Sequence, residues 1–147
     1  DSNGEKVRPI MLHRAILGSF ERFLGIIIEH FAGAFPLWIA PVQIEVLPVN
    51  NEYHLEHAKK LVQQLTDLGF RVNLDDSNEK LGYRLRNTII KKIPYTLVIG
   101  DKELANNSVT YRKYGTNDQI NVSFLDFVNK LNNEIKNKEL LVDPKSL

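Results

Sequence analysis

The chain has 147 residues, 43% of them apolar and 25% charged, enough for one ordinary globular domain with an extra segment. It has no cysteine, which excludes disulfides, thiolate catalysis and thiolate metal sites, and no apolar run approaches the ~20 residues of a membrane-spanning helix. Net charge is only +1, yet residues 71–113 carry nine basic and five acidic side chains against six and eight in residues 1–70, a basic middle that fits either a polyanion contact or a solvated lysine-rich surface.

The opening DSNGEKVRP lacks an initiator Met and the apolar core of a signal peptide, and reads as an internal cut point. Val7–Leu12 predicts a short strand. Ile16, Leu17, Phe20, Phe23, Leu24, Ile27, Ile28 and Phe31 then recur at helical spacing and predict a long helix from about Arg14 to Phe31. Its apolar face is too wide for a surface helix and needs a partner layer. Gly33 and Pro36 end it, and AGAFPLWIAP, with two prolines, is a linker whose Trp38, Pro36 and Pro41 fix its path. The expected division is a strand-helix arm over residues 1–35, a linker over 36–42 and a main domain over 43–147.

From Gln43 the pattern alternates. QIEVLPV predicts a strand. Tyr53–Leu68 predicts a helix, with Leu55, Ala58, Leu61, Val62 and Leu65 on one face and Gly69 closing it. FRVNL is the next strand, and Asp76 or Ser77 can cap a helix from Glu79 to about Lys91. PYTLVIG has the continuous apolar character of a central strand. NSVTYRK and QINVS flank a Tyr-Gly-Thr-Asn turn and predict a hairpin. Ser123 caps a last helix that turns Phe124, Phe127, Val128, Leu131 and Ile135 inward, and the tail ELLVDPKSL reads as frayed. The series implies a three-layer α/β domain, with a mixed, mainly parallel sheet of about five strands and helices on both faces.

Arg22 sits mid-helix, where a guanidinium needs an anion or a carboxylate; Glu21 and Glu29 are local alternatives. His54 and His57 stand at i, i+3, but no further metal ligand accompanies them. Ser19, Glu21 and His13 lack the strained elbow of a hydrolase. On the helix after Asn78, Lys80, Arg84 and Lys91 are expected on one side, opposite Leu81, Leu85 and Ile89, a basic stripe suited to RNA phosphates. Asn78, Glu79, Glu103 and Arg112 are directional donors and acceptors at element ends, where unpaired bases can reach them; ordinary exposed charges explain them as well. Gly100-Asp101-Lys102 lacks phosphate-loop glycine spacing and reads as a turn presenting Glu103.

The stretch HRAILGSFERFLGIIIEHFAGAFPLWIAPVQ, from His13 to Gln43, resembles the last catalytic motif of a class II aminoacyl-tRNA synthetase and its junction with an anticodon-binding domain. With DDSNEKLGYRLR, KKIPYTLVIGDKE and NSVTYRK, the resemblance is to threonyl-tRNA synthetases and covers most of the chain. It implies the C-terminal piece of a threonine–tRNA ligase that recognises the anticodon loop of tRNA(Thr). The parent would form threonyl-adenylate from threonine and ATP, with Mg, and pass threonine to tRNA. Arg22 would be its catalytic contact to ATP, beside Gly18 and Ser19. His13 would be one of three zinc ligands, the other two lying upstream. Asn78, Glu79, Lys92, Glu103 and Arg112 would meet the anticodon, and Lys80, Arg84 and Lys91 the tRNA backbone. The family pattern favours Arg where this chain has Lys92; Lys keeps the charge and loses the planar fork, which favours phosphate contact.

The resemblance further implies a cytoplasmic, homodimeric parent. The chain alone is expected to be inactive, to hold neither ATP nor zinc, and to self-associate through its first helix. Two alternatives stand beside this. One is a prolyl, histidyl or glycyl synthetase, against which the HRAILGSFERF string argues. The other is a non-catalytic synthetase-like interaction module, against which Asn78, Glu103 and Arg112 together argue.

Overall fold

The structure is a computed structural model that describes residues 1–106, 108–116 and 118–141. Asn107 of the first hairpin strand, Asn117 of its turn and residues 142–147 of the tail lie outside the described residues. The elements in order are α1 (Phe20–His30), β1 (Ile44–Pro48), α2 (Asn51–Asp67), β2 (Val72–Leu74), α3 (Leu81–Ile90), β3 (Tyr95–Ile99), α4 (Asp101–Asn106), β4 (Ser108–Lys113), β5 (Ile120–Ser123) and α5 (Phe124–Asn137).

Five strands form one sheet in the order β2-β1-β3-β4-β5, with β3 at its centre. β1 pairs parallel with β2 and β3, while β4 runs antiparallel to both β3 and β5. The strand alternation therefore yields two faces. On one, Ile44, Val46, Tyr95, Leu97, Ile99, Val109 and Tyr111 meet Ala58, Leu61 and Leu65 of α2 and Phe127, Val128 and Leu131 of α5 in a single core. On the other, α3 lies over β1. This is the three-layer α/β arrangement expected from the alternation of elements.

Local chemistry sets the ends. Asn50 caps α2 by accepting from the Glu52 N–H at 2.8 Å, and Gly69, at φ 89°, closes it so that the Phe70 N–H reaches the Leu65 carbonyl. Ser123 caps α5 through the Asp126 N–H at 3.1 Å. One buried ion cluster sits at the edge of the core: Glu134 accepts from the Tyr95 hydroxyl at 2.6 Å, Lys130 at 2.9 Å and Lys113 at 3.2 Å.

Four expectations change. Val7–Leu12 is not a strand, because no neighbouring strand supplies its backbone partners. α1 begins at Phe20 rather than Arg14, since Leu17 and Gly18 both take left-handed φ of 70° and Ser19 caps the helix behind them. α3 begins at Leu81 behind Lys80, which makes no side-chain cap bond; neither Asp76 nor Ser77 caps it, and Asp75 instead accepts from the Ser77 N–H in a local turn at 3.0 Å. Gly100-Asp101-Lys102, read as a turn, instead leads into the short helix α4, which begins at Asp101.

The residues between α1 and β1 are packed onto the sheet. Leu37 enters the core, Gln43 donates to its carbonyl at 2.8 Å, and the Arg71 guanidinium donates to the carbonyls of Ala40 and Trp38. α1 itself is exposed: Phe20 is 75% and Ile26 56% accessible, and no residue of the helix is buried.

Candidate nucleic-acid interface

The sheet face opposite the main core is polar, and the strand register puts its side chains in rows. Asn73, Glu45, Thr96 and Arg112 pair in sequence across β2, β1, β3 and β4. One step further along the strands, Leu47, Val98, Thr110 and Asn121 make the next row. α3 covers the β1 part of this face and leaves the β4–β5 part open.

Glu103 sits against that open part and is itself buried. It is the third residue of α4, and its Oε2 accepts from the Gly100 N–H at 2.9 Å, as the glutamate of a capping box does. Gly100 permits the close turn: a Cβ there would meet Glu103 Oε2 at 3.4 Å. Glu103 Oε1 accepts from the Thr110 hydroxyl at 2.5 Å and more weakly from Asn121 at 3.5 Å. Burial, the largest single influence, pushes this carboxyl upward, but the Thr110 and Gly100 hydrogen bonds outweigh it and hold the group below the usual carboxylate range. Glu103 is therefore a fixed anion. Arg112 is half-buried, and its Nε is enclosed without a hydrogen-bond partner.

The other expected residues gather at the two ends of β3. Asn78 and Glu79 are exposed just before α3, in a cleft of about 240 Å³ shared with Val49, Asn50, Asn51, Ser77 and Arg84. Val49 also borders Gly100, so this cleft adjoins the Glu103 turn at the carboxyl ends of β1 and β3. Lys91 and Lys92 stand at the end of α3, near the amino end of β3, where Arg112 pairs with Thr96. The two ends are about 13 Å apart along a five-residue strand. Lys80 is exposed. Lys92 is half-buried at φ 55° and donates its ammonium to the Ala32 carbonyl, behind the end of α1.

Arg84 corrects the expected basic stripe. It is 2% exposed, and its guanidinium donates to the carbonyls of Asp75 and Pro48 from beneath α3, whereas Ile89, expected on the buried side, is 48% exposed. The stripe thus keeps Lys80 and Lys91 and loses Arg84. The sequence reading also missed Thr96, Thr110 and Asn121. Period-two alternation puts Thr110 and Arg112 on one face, but only the pairing register brings Thr96 and Asn121 beside them.

His54 is engaged on both ring nitrogens. The Asn50 N–H donates to Nδ1 at 3.1 Å, so the proton is on Nε2, which donates to Asp101 at 3.0 Å. In the arm, Gly18, Ser19 and Arg22 stand together at the N-terminus of α1, whose free N–H groups suit an anionic group such as phosphate. Among the described residues no group of three or more His, Cys, Asp or Glu side chains is placed to hold a metal, and His13 is exposed. No helix of the described residues is long and apolar enough to cross a membrane.

Residues 43–134 match the family model described as the anticodon binding domain. The threonine–tRNA ligase of Lactobacillus acidophilus is 51% identical over 134 residues, 91% of this chain and 21% of that protein. That of Desulforamulus reducens is 49% identical over 138 residues, 94% of this chain and 22% of that protein. Among solved structures, the RNA binding domain of threonyl-tRNA synthetase from Cryptosporidium parvum superposes with a TM-score of 0.75 at 32% identity, over 80% of this chain and 30% of that one. The chain spans about a fifth of the length of the curated relatives it matches.

Proposed function

The chain belongs to the anticodon binding domain family, and on that footing we propose that it reads the anticodon loop of tRNA(Thr) as part of a threonine–tRNA ligase. The observation that carries this reading is the polar sheet face. There a fixed anion at Glu103, a half-buried guanidinium at Arg112 with an unpartnered Nε, and the exposed Lys91 lie along one side of an otherwise apolar sheet. Single-stranded loop bases offer free edges to such groups, and phosphates pair with the ammonium groups. Asn78 and Glu79 extend the surface past the carboxyl end of β1, and Lys80 and Lys91 flank it. Lys92, bonded to the Ala32 carbonyl, serves phosphate rather than base.

In this reading residues 43–147 are the RNA-binding domain, residues 1–35 belong to a catalytic domain, and 36–42 join the two. The longer protein would be a cytoplasmic homodimer that forms threonyl-adenylate from ATP and threonine and then acylates tRNA. Arg22, with Gly18 and Ser19, would face ATP phosphate there, where fixed positive charge stabilises the developing anion. His13 would be one of three zinc ligands in that longer protein, the other two being supplied from outside this chain. The exposed Phe20, Ile26 and Ile28 on α1 are read as a contact surface. Sedimentation at rising concentration should show self-association of this chain, and a strict monomer at the highest concentration would remove that part of the reading.

The direct test is titration with a threonine anticodon stem-loop and with one whose G-U bases are changed, at two salt concentrations. The correct loop should bind more tightly, and Arg112→Ala should cost about 1–3 kcal/mol and erase the preference. Equal, purely salt-sensitive binding of both loops would reduce the surface to a basic patch.

A further inference from the structure

We propose that the cleft between β2, the loop 75–79 and α3 binds a small organic cation, an ammonium or guanidinium group, with the buried Glu45 carboxylate as its anchor. The cleft has a volume of about 450 Å³. Glu45 of β1 lines it and is 1% exposed. Asn73 donates to Glu45 Oε1 at 2.8 Å, while Oε2 is enclosed without a hydrogen-bond partner. Burial raises this carboxyl, and the side chains that also act on it, Asn73, Lys91 and Asp75, all line the cleft, which puts the carboxyl at its floor. A buried carboxylate oxygen without a donor is costly, and a ligand N–H removes that cost.

The rim decides the kind of donor. Asp75, Asp76 and Glu79 line the same cleft, three of the five acidic side chains in the otherwise basic segment 71–113. Lys91 is the one cation among the lining residues, and it is exposed. The ion pairs among the described residues lie elsewhere, at Asp101, Glu56 and Glu134, so Lys91 closes onto none of these four carboxyls. Arg84 lies beneath the same helix, but it lines the neighbouring cleft and donates to the carbonyls of Asp75 and Pro48. Four carboxyls against one ammonium favour a cation. No three of them are placed to share a metal ion, whereas an ammonium or guanidinium brings its own N–H donors and reaches carboxyls singly. Tyr83, lining the cleft and 56% exposed, adds an aromatic face of the kind that holds organic cations. Contact with the enclosed Oε2 requires an exposed lining side chain such as Asn73 to shift.

The test titrates the full chain, without RNA, with methylguanidinium, putrescine and tetramethylammonium, read by calorimetry and by the Asn73 side-chain amide resonance in isotope-labelled protein. Methylguanidinium and putrescine should bind saturably and move the Asn73 amide. Tetramethylammonium, which has the charge and no N–H, should bind at least about tenfold more weakly, the worth of a hydrogen bond to a charged group. Glu45→Gln, shown folded by thermal melting, should weaken methylguanidinium by a similar factor. Glu79→Gln, at the exposed rim, should weaken it no more than about fivefold. A short peptide with a central arginine separates the two sources of such a group. If the peptide binds more tightly than methylguanidinium, the site takes a side chain of a partner protein; if putrescine binds more tightly than the peptide, it takes a free amine. Absence of saturable binding, equal affinity in Glu45→Gln and wild type, or tetramethylammonium binding as well as methylguanidinium each overturns the site.

Discussion

On one side of the sheet, Leu97 and Tyr95 of β3 are fully buried against α2 and α5, and the carboxylate on that side, Glu134, takes three donors on its Oε1. On the other side the intervening Thr96 shares its row with Glu45 and Arg112, and three polar atoms there are enclosed without partners: Glu45 Oε2, Arg112 Nε and, beneath α3, Arg84 Nε. The same strands therefore carry a face that satisfies its polar atoms and a face that leaves some open. Native interiors leave few polar groups unpaired. Where one lies at the open part of the face, as Arg112 Nε does, the arrangement costs stability and suits a surface that completes its hydrogen bonds with a ligand.

The largest effect that separates the two faces comes from adjacent residues of β3. Leu97→Ala should destabilise the chain by about 2–5 kcal/mol, because it removes buried methyl groups from the core and leaves a cavity. Thr96→Ala, one residue away and on the polar face, should cost no more than about 1 kcal/mol. Urea unfolding of the two variants measures the contrast, and equal losses would mean that the second face is as much a core as the first.

The two faces also differ in how far they can be read from the chain. Apolar spacing is enough for Ala58, Leu61, Leu65, Phe127, Val128 and Leu131, because burial follows directly from a helical period. It is enough for the central position of β3, whose unbroken apolar run needs cover on both sides. It fails on the polar face, where tertiary register decides. Thr110 and Asn121 lie eleven residues apart and meet only because β4 and β5 pair in that register. Arg84 was misread for a related reason: its cationic character points outward, but the Asp75 and Pro48 carbonyls beneath α3 offer acceptors that draw the guanidinium inside. Asn78, Glu103 and Arg112 stand out as directional groups at element ends, Lys92 only through family resemblance, and the resemblance is what favours RNA contact for all four. Residue type alone leaves them indistinguishable from ordinary surface charge. In the arm, Val7–Leu12 and Arg14–Gly18 have regular-looking patterns and no partner layer to hold them, so they remain irregular.

The smaller contrast lies in the two buried glutamates, which should respond to pH with opposite sign. At Glu134, burial is the largest single influence and acts upward, but the Tyr95 hydroxyl, Lys130 and Lys113 outweigh it and hold the carboxyl below its ordinary value of 4.5. A carboxyl depressed by folding contributes stability above its unfolded value and loses it as pH falls through the lower folded value. Glu134→Gln should therefore cost about 1–3 kcal/mol at neutral pH, and the deficit should shrink as wild type is acidified. At Glu45, burial dominates and raises the carboxyl, offset in part by the Asn73 hydrogen bond and by Lys91. Its contribution is fully present below the ordinary carboxylate range and is lost as pH rises through the raised folded value. Glu45→Gln should thus leave the chain slightly more stable than wild type at neutral pH, by less than about 1 kcal/mol, with the gain fading on acidification. Thermal unfolding of both variants from pH 3 to pH 8 compares them directly. Opposite slopes against wild type would show one glutamate built into a satisfied network and the other held at a cost beneath α3. Parallel slopes would mean that Glu45 is neutralised by Lys91 as fully as Glu134 is by its partners, and the distinction between the faces would then rest on Arg112 alone.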